Sequence, residues 1–414
     1  MHRQPITIAI LGAGGRGRGF AEIVSCMPQW ARVTAVAEPR KEYREAFAAR
    51  YGIPAGNVFA DWREFAAKPR MADAVVVATM DREHVGPAVA CLELGYHLFL
   101  EKPMAVSLED CRRIAQAQRR AGTVTCVCHS LRYHKAFCAL RQAASGGRIG
   151  RVVTVDQIEQ VSWWHQAHSF VRGNWGNEGR STFMLLAKSC HDIDYIASLV
   201  PGGCLRVSSF GGLAYFTRAN SPAGSGDRCV SCPAEPECPY SAVKAYVDTD
   251  RTVWPANVAA LDHSREAHWK AVETGPYGRC VWKCDNDAVD HQVTAMEFEG
   301  GVTATFTMTA FTQGGGRRIR VHGTEGEIEF GEEEMTVRTF ADGDVERVQF
   351  GRERGGHGGG DQRVMTGFLR AVQENRQDLV ATDVHESLRT HTIVFAAEAS
   401  RRCGKTVEIE GFRG

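Results

Sequence analysis

The stretch Ile6-Thr7-Ile8-Ala9-Ile10-Leu11-Gly12-Ala13-Gly14-Gly15-Arg16-Gly17 decides the fold. Its first six residues are a short β-branched run that predicts a buried strand. The glycines that follow have the spacing G-x-G-x-x-G, and a helix-like segment, Phe20–Met27, comes next. In that strand–turn–helix context each glycine has a mechanical reason. Gly12 permits the tight turn, Gly14 lets backbone approach a pyrophosphate, and Gly17 lets the helix pack close to the strand. The helix N-terminus then offers unpaired N–H groups to phosphate, with Arg16 beside them.

The next strand, Val33–Ala37, ends at Glu38, which lies 21 residues after Gly17. A carboxylate there accepts the ribose hydroxyls of NAD and repels the 2′-phosphate of NADP, although Arg40 is close by. Two more strands follow, Ala74–Ala78 and His97–Leu100. Ligands sit at the carboxyl ends of such strands, which makes Thr79, Asp81, His84, Glu101 and Lys102 candidate cofactor neighbours. A helix over Leu108–Ala121, capped by Ser107, and a strand over Val124–Cys128 close the unit.

Outward from this unit, the whole chain of 414 residues is long enough for two or three domains. It carries 49 Lys plus Arg against 49 Asp plus Glu, so no global field favours nucleic acid or an anionic membrane. No apolar stretch reaches the roughly 18 residues of a membrane span. The run at 6–11 is too short for a signal peptide, and most cysteines are scattered singly, as in a reduced cytoplasmic chain.

After about residue 130 the pattern changes to strand-like runs: Val152–Glu159, Gln292–Phe298, Val302–Ala310, Arg317–His322, Glu327–Phe330, Met335–Phe340 and Val345–Phe350. Several alternate apolar and polar residues, as in a sheet with one covered face. Helices are expected over Phe183–Leu199, Met365–Asn375 and Glu386–Arg402.

Glycines 12–17, Glu38, Glu101-Lys102-Pro103 and His191-Asp192-Ile193-Asp194 together resemble the Gfo/Idh/MocA oxidoreductases, which include glucose–fructose oxidoreductase and inositol dehydrogenases. The resemblance runs from Ile6 to the last helix. It implies an α/β fold with a Rossmann NAD-binding domain over 1–128 and a second α/β domain over 129–414. That second domain would carry a large open, mostly antiparallel sheet and a C-terminal helix returning toward the first. Nicotinamide and substrate would lie between the two. The sheet would pack against another copy, as a dimer or tetramer. Lys102, at a strand end, can take a hydroxyl proton during hydride removal. The resemblance makes His191 the second acid/base or orienting group, with Asp194 on the same helix face. Inositol-acting members often carry Asp four residues before this His; here Ala187 and Lys188 stand there.

The segment Trp163–Trp175 holds three Trp and two His. Aromatic faces stack on sugar rings, so Trp164, His165, His168, Arg172 and Asn174 are candidate substrate contacts. Arg172 and Lys188 suggest an acidic group on the substrate. His357 and Asp361 lie in a glycine-rich loop where backbone can approach a ligand. Residues 218–285, rich in Pro, Trp and Cys, look like an insertion. There Cys229, Cys232 and Cys238, with Cys280, have a spacing that could hold a structural zinc.

Two chemistries fit this inventory: NAD-dependent oxidation or reduction at a ring carbon of a sugar or cyclitol, and NAD-dependent glycosidase action through transient oxidation at C3. A non-catalytic NAD sensor is disfavoured by the presence of Lys102 and His191.

Overall fold

The computed structural model describes residues 4–351 and 355–414. Strands β1 (Ile6–Leu11), β2 (Ala31–Ala37), β3 (Val58–Phe59), β4 (Ala74–Val77), β5 (His97–Leu100) and β6 (Thr125–Val127) form a parallel sheet in the order β3-β2-β1-β4-β5-β6. This is the doubly wound arrangement, and its order reverses between β1 and β4, where a crevice opens at the carboxyl ends. Helices cover both faces, so β4 is apolar and buried throughout. They are α1 (Gly15–Ser25), α2 (Lys41–Tyr51), α3 (Val85–Glu93) and α4 (Leu108–Ala121). Helix α4 begins where expected, with the Ser107 hydroxyl accepting from the Asp110 N–H at 3.1 Å.

The second sheet has nine strands: β7 (Val152–Gln160), β8 (Cys204–Gly212), β9 (His291–Phe298), β10 (Thr303–Thr309), β11 (Gly316–Gly323), β12 (Gly326–Gly331), β13 (Glu334–Thr339), β14 (Val345–Gln349) and β15 (Val407–Glu408). The order is β14-β13-β12-β11-β7-β10-β9-β8-β15, and only β7 and β10 run parallel. Helices α5 (Met184–Leu199) and α7 (Val384–Cys403) lie on one face. Leu185, Leu186, Ile193 and Ile196 pack there on Val155, Phe306, Ile319 and Val321. The other face is uncovered, and Phe210 and Val293, directly paired across β8 and β9, stand out from it. Alternation does not announce β8, whose Ser-Ser and Gly-Gly pairs dilute the apolar period.

Helix α6 (Gly360–Glu374) returns to the first sheet. Its Val364, Met365, Phe368 and Leu369 complete the core around Ile8, Phe20 and Phe99, with Phe99 and Phe368 edge to face at 5.5 Å. Between β8 and β9 the chain makes short helical pieces and one helix, Arg265–Thr274. These pack on the 163–175 segment through Phe216, Tyr240 and Trp282. Among the described residues no helix is long and apolar enough to cross a membrane.

Candidate active site

The turn after β1 is built for close approach. Gly12 has φ +93°, and a Cβ there would lie 2.5 Å from the Ala78 carbonyl. A Cβ on Gly17 would fall 1.9 Å from the Gly12 oxygen, so side chains are barred at both positions. At Gly14 the nearest atom to such a Cβ is the Arg40 guanidinium, at 3.6 Å, which leaves room for a pyrophosphate. Helix α1 has no side-chain cap and no acid in its first turn, so its free N–H groups remain available to an anion. Glu38 is buried and accepts from the Ala13 N–H (2.9 Å), the Arg40 N–H (3.0 Å) and the Arg40 Nε (2.7 Å). Burial alone would raise its pKa, but the bonds from Arg40 and Ala13 outweigh that and lower it. The Thr79 hydroxyl is buried with no partner among the described residues. These features fit a dinucleotide with its ribose diol at Glu38.

Arg16 is turned elsewhere. Its Nε donates to Glu101 at 2.5 Å, and Nη1 and Nη2 donate to Asp361 of α6 at 2.6 and 3.1 Å. Asp361 also accepts from Ser130 (2.5 Å) and contacts His357 (2.9 Å), whose ring lies edge-on to His191. Arg16 and Glu101 therefore brace the glycine turn against α6, where the sequence suggested direct cofactor contact. Asp81 accepts from Trp175 Nε1 (2.8 Å) and the Ser181 hydroxyl (2.9 Å), holding the second domain to the end of β4. His84 lies between the Pro103 and Thr79 carbonyls, at 2.7 and 3.2 Å.

Lys102, half-buried at the end of β5, donates from Nζ to the Ala187 carbonyl at 2.6 Å. A backbone oxygen thus holds the lysine at the position where inositol-type relatives are expected to carry a carboxylate. One turn on, Arg317 Nη2 lies 2.9 Å from His191 Nε2. Guanidinium has no lone pair to offer, so it donates, and the His191 proton must sit on Nδ1. That Nδ1 is buried and has no partner among the described residues. Burial first, then the charges of Arg317 and Lys102, push His191 well below the usual histidine range. His191 is therefore a neutral hydrogen-bond donor. It also lies 3.4 Å from Asp192, but the guanidinium contact is the shorter and sets the tautomer.

Arg317 is itself held by Glu159 (2.7 Å) and Asp192 (2.8 Å). Lys188 donates to Glu159 at 2.6 Å, so its charge is spent internally. Asp194 does not face the cleft: it accepts from Arg132 at 2.7 and 3.1 Å and from the Thr390 hydroxyl at 3.1 Å, tying α5 to α7.

The 163–175 segment divides into wall and strut. Trp164 and His165 stack at 5.7 Å, and Trp254 of the insertion lies edge-on to both at 5.3 and 4.9 Å. Trp164 and Trp254 keep exposed faces. Burial, then the charges of Lys188, His168, Arg317 and Lys102, lower the His165 pKa to about 2, so this ring is neutral. Asn174 is exposed at the rim. His168 is buried, with Nδ1 at 2.9 Å from the Tyr246 hydroxyl and its ring stacked on Tyr277. Arg172 is buried and donates to the Arg279 and Tyr240 carbonyls at 2.7 and 2.6 Å. Both tie the segment to the insertion, and neither belongs to the aromatic wall of Trp164 and Trp254.

The zinc expectation is corrected. Cys229, Cys232, Cys238 and Cys280 line one cavity of about 180 Å³, but among the described residues no group of three or more His, Cys, Asp or Glu is arranged to hold a metal. The Arg172 guanidinium lies 3.5 Å from Cys229 Sγ, a positive charge where a cation would need to sit. The thiols take local partners, such as the Gly226 N–H on Cys232 and the Cys280 carbonyl for Cys284.

Residues 6–129 match the oxidoreductase family model for the NAD-binding Rossmann fold, and residues 141–409 match the family's C-terminal α/β domain. The chain belongs to the Gfo/Idh/MocA oxidoreductases. It is similar to the oxidoreductase YteT of Bacillus subtilis, 25% identical over 326 residues and 75% of each protein. It is also similar to the inositol 2-dehydrogenase/D-chiro-inositol 3-dehydrogenase of Shouchella clausii, 30% identical over 156 residues, 37% of this chain and 44% of that one. The solved levoglucosan dehydrogenase with NADH and levoglucosan has the same fold, with TM-score 0.72 and 19% identity over 98% of this chain and 100% of that one. As a member of this family the chain is an NAD(P)-dependent oxidoreductase acting on CH–OH groups.

In this oxidoreductase, sequence reading missed Arg317, Glu159 and Trp254. A signal for the first two was present. Glu159 falls in phase with Val155 and Gln157 on the buried face of β7, and a buried charge needs a partner. The partner is its direct cross-strand neighbour, Arg317 on β11. Trp254 carried no such mark.

Proposed function

We propose that this oxidoreductase transfers hydride between nicotinamide and a ring carbon of a sugar, cyclitol or sugar derivative, using NAD in preference to NADP. The observation that carries the reading is the pair Lys102 and His191. Lys102 Nζ is held on the Ala187 carbonyl, and one turn along the same helix stands a neutral imidazole with its Nδ1–H unengaged among the described residues. Bound NAD would supply the hydride acceptor. In the oxidation direction the neutral amine of Lys102 accepts the proton of the reacting hydroxyl on its Nζ lone pair and passes it to solvent, His191 donates from Nδ1 to the same oxygen and orients it, and Trp164 and Trp254 stack on the sugar's C–H face. Glu38, acceptor-only, receives the ribose hydroxyls and disfavours a 2′-phosphate.

The glycosidase alternative drew on His165, His168 and Lys188 as extra acid/base groups; His168 and Lys188 are engaged internally, by Tyr246 and Glu159, and burial with the neighbouring cations keeps His165 neutral. We further propose a homo-oligomer formed through the uncovered face bearing Phe210 and Val293.

The test incubates the protein with NAD and a panel of sugars, acidic sugars, inositols and aryl glycosides, following 340 nm absorbance and released aglycone together. Net NADH without cleavage is expected. Lys102→Ala should lose about 10²–10⁴-fold in turnover while still binding NADH, read by fluorescence. NAD-dependent aglycone release with no net NADH would reverse the assignment.

A further inference from the structure

A cavity of about 520 Å³ opens beside Met80, and Arg172, Arg180, Arg228, Arg279 and the exposed Asn174 line it. Four guanidiniums gather there, and among the described residues the ion pairs they make reach one carboxylate. Asp285 accepts from Arg180 at 2.5 Å and from Arg279 at 2.7 Å. Arg172 and Arg228 are held by carbonyls instead: Arg172 by Arg279 and Tyr240, Arg228 by Val272 (2.8 Å) and Gly275. A carbonyl fixes a guanidinium without cancelling its charge, so these two side chains are oriented and remain unneutralised. Arg228 Nε is also buried with no hydrogen-bond partner among the described residues. Such a group costs free energy until an acceptor reaches it.

The cavity reaches the end of β4 through Met80. Met80 follows Thr79, whose carbonyl shares His84 with Pro103, the residue after Lys102. Asp81 binds Trp175 and Ser181, which lays the stretch carrying Arg172, Asn174 and Arg180 against the end of β4. The pyrophosphate cradle is elsewhere, at the glycine turn and the start of α1. The arginine cavity is therefore separate from that cradle.

We propose that this cavity binds a carboxylate or phosphate group carried by the substrate, which narrows the substrate class to acidic sugars, acidic cyclitols or their phosphates. The proposal rests on the dehydrogenase reading for its substrate. Its volume lies within the usual range for small-ligand sites, about 300–1,000 Å³.

The experiment measures binding by calorimetry to the NADH-saturated protein, so that the cofactor's own phosphate site is filled. The probes are inorganic phosphate, glucuronate and glucose. At least one anion should bind ten times or more tightly than glucose, and added salt should weaken it. Arg180→Gln and Arg228→Gln should each weaken the anion about tenfold. The phosphate and glucuronate arms tell which group is preferred. NADH affinity checks folding. If Arg228→Gln fails that check, Arg180→Gln carries the comparison, because its guanidinium is held by one exposed carboxylate. No anion binding, binding no tighter than glucose, or binding unchanged in the variants overturns the proposal. Turnover is read separately. Oxidation of neutral sugars with no anion effect removes the cavity's role and leaves the dehydrogenase reading intact. Anion binding without any sugar oxidation does the opposite.

Discussion

At the scale of single residues, the proton on His191 is placed by a neighbour more than a hundred positions away. Arg317 donates to Nε2 and keeps the ring neutral with Nδ1–H free. Replacing Arg317 by Gln removes that charge and leaves Asp192, 3.4 Å from Nε2, facing the imidazole. The His191 pKa should then rise, and the acid limb of kcat/KM against pH should move toward neutrality. Arg317→Lys, which keeps the charge, should restore much of the wild-type profile. An unchanged profile in the Gln variant would show that the tautomer is set some other way. Removing one member of this buried network should also cost about 3–5 kcal/mol of stability, measured by urea unfolding. The glycine turn and the strand-end position of Lys102 were legible because their chemistry is local, written within a few residues. Arg317 was not, because its meaning comes from strand register: residues 159 and 317 become neighbours only when β7 and β11 pair. The zinc reading failed for a related reason. Spacing shows that thiols can reach one another, but not that Arg172 stands among them.

At the scale of elements, the insertion depends on the segment it covers. His168 bonds Tyr246 and stacks on Tyr277, and burial, then Arg172, lowers its pKa to about 4. The unfolded value is about 6.5. A histidine kept neutral in the fold contributes its stability above the unfolded pKa and loses it as pH falls toward the folded one. The loosening should therefore develop between pH 6.5 and about 4 and amount to about 3 kcal/mol in full. Limited proteolysis at pH 7 and pH 4.5 should cut residues 218–285 only in acid. Equal resistance at both would contradict the role given to His168. That an insertion existed was readable from its Pro, Trp and Cys content. Its contacts were not, since few of its residues follow a regular period.

At the scale of the whole molecule, the nine-stranded sheet leaves one face uncovered. Phe210 is 67% exposed there and Val293 42%. Apolar side chains on an open sheet of this size are an invitation to association. Phe210→Asp should lower the mass seen by light scattering if that face joins two copies. An unchanged mass would move the interface elsewhere. The alternation of residues along β9 and β10 already revealed a sheet with unlike faces, but nothing in it names what covers the second.

The return of α6 to the first sheet has a consequence for how the chain is made. Residues near the start, Ile8 and Phe20, share a core with Phe368 and Leu369. Synthesis proceeds from the N-terminus, so the glycine turn leaves the ribosome long before the helix that bears Asp361. The cofactor-binding half must therefore wait, incompletely cored and with apolar surface open to water, until nearly the whole polypeptide has emerged. A truncation before Gly360 would remove no residue of the glycine turn and yet leave that half unfinished.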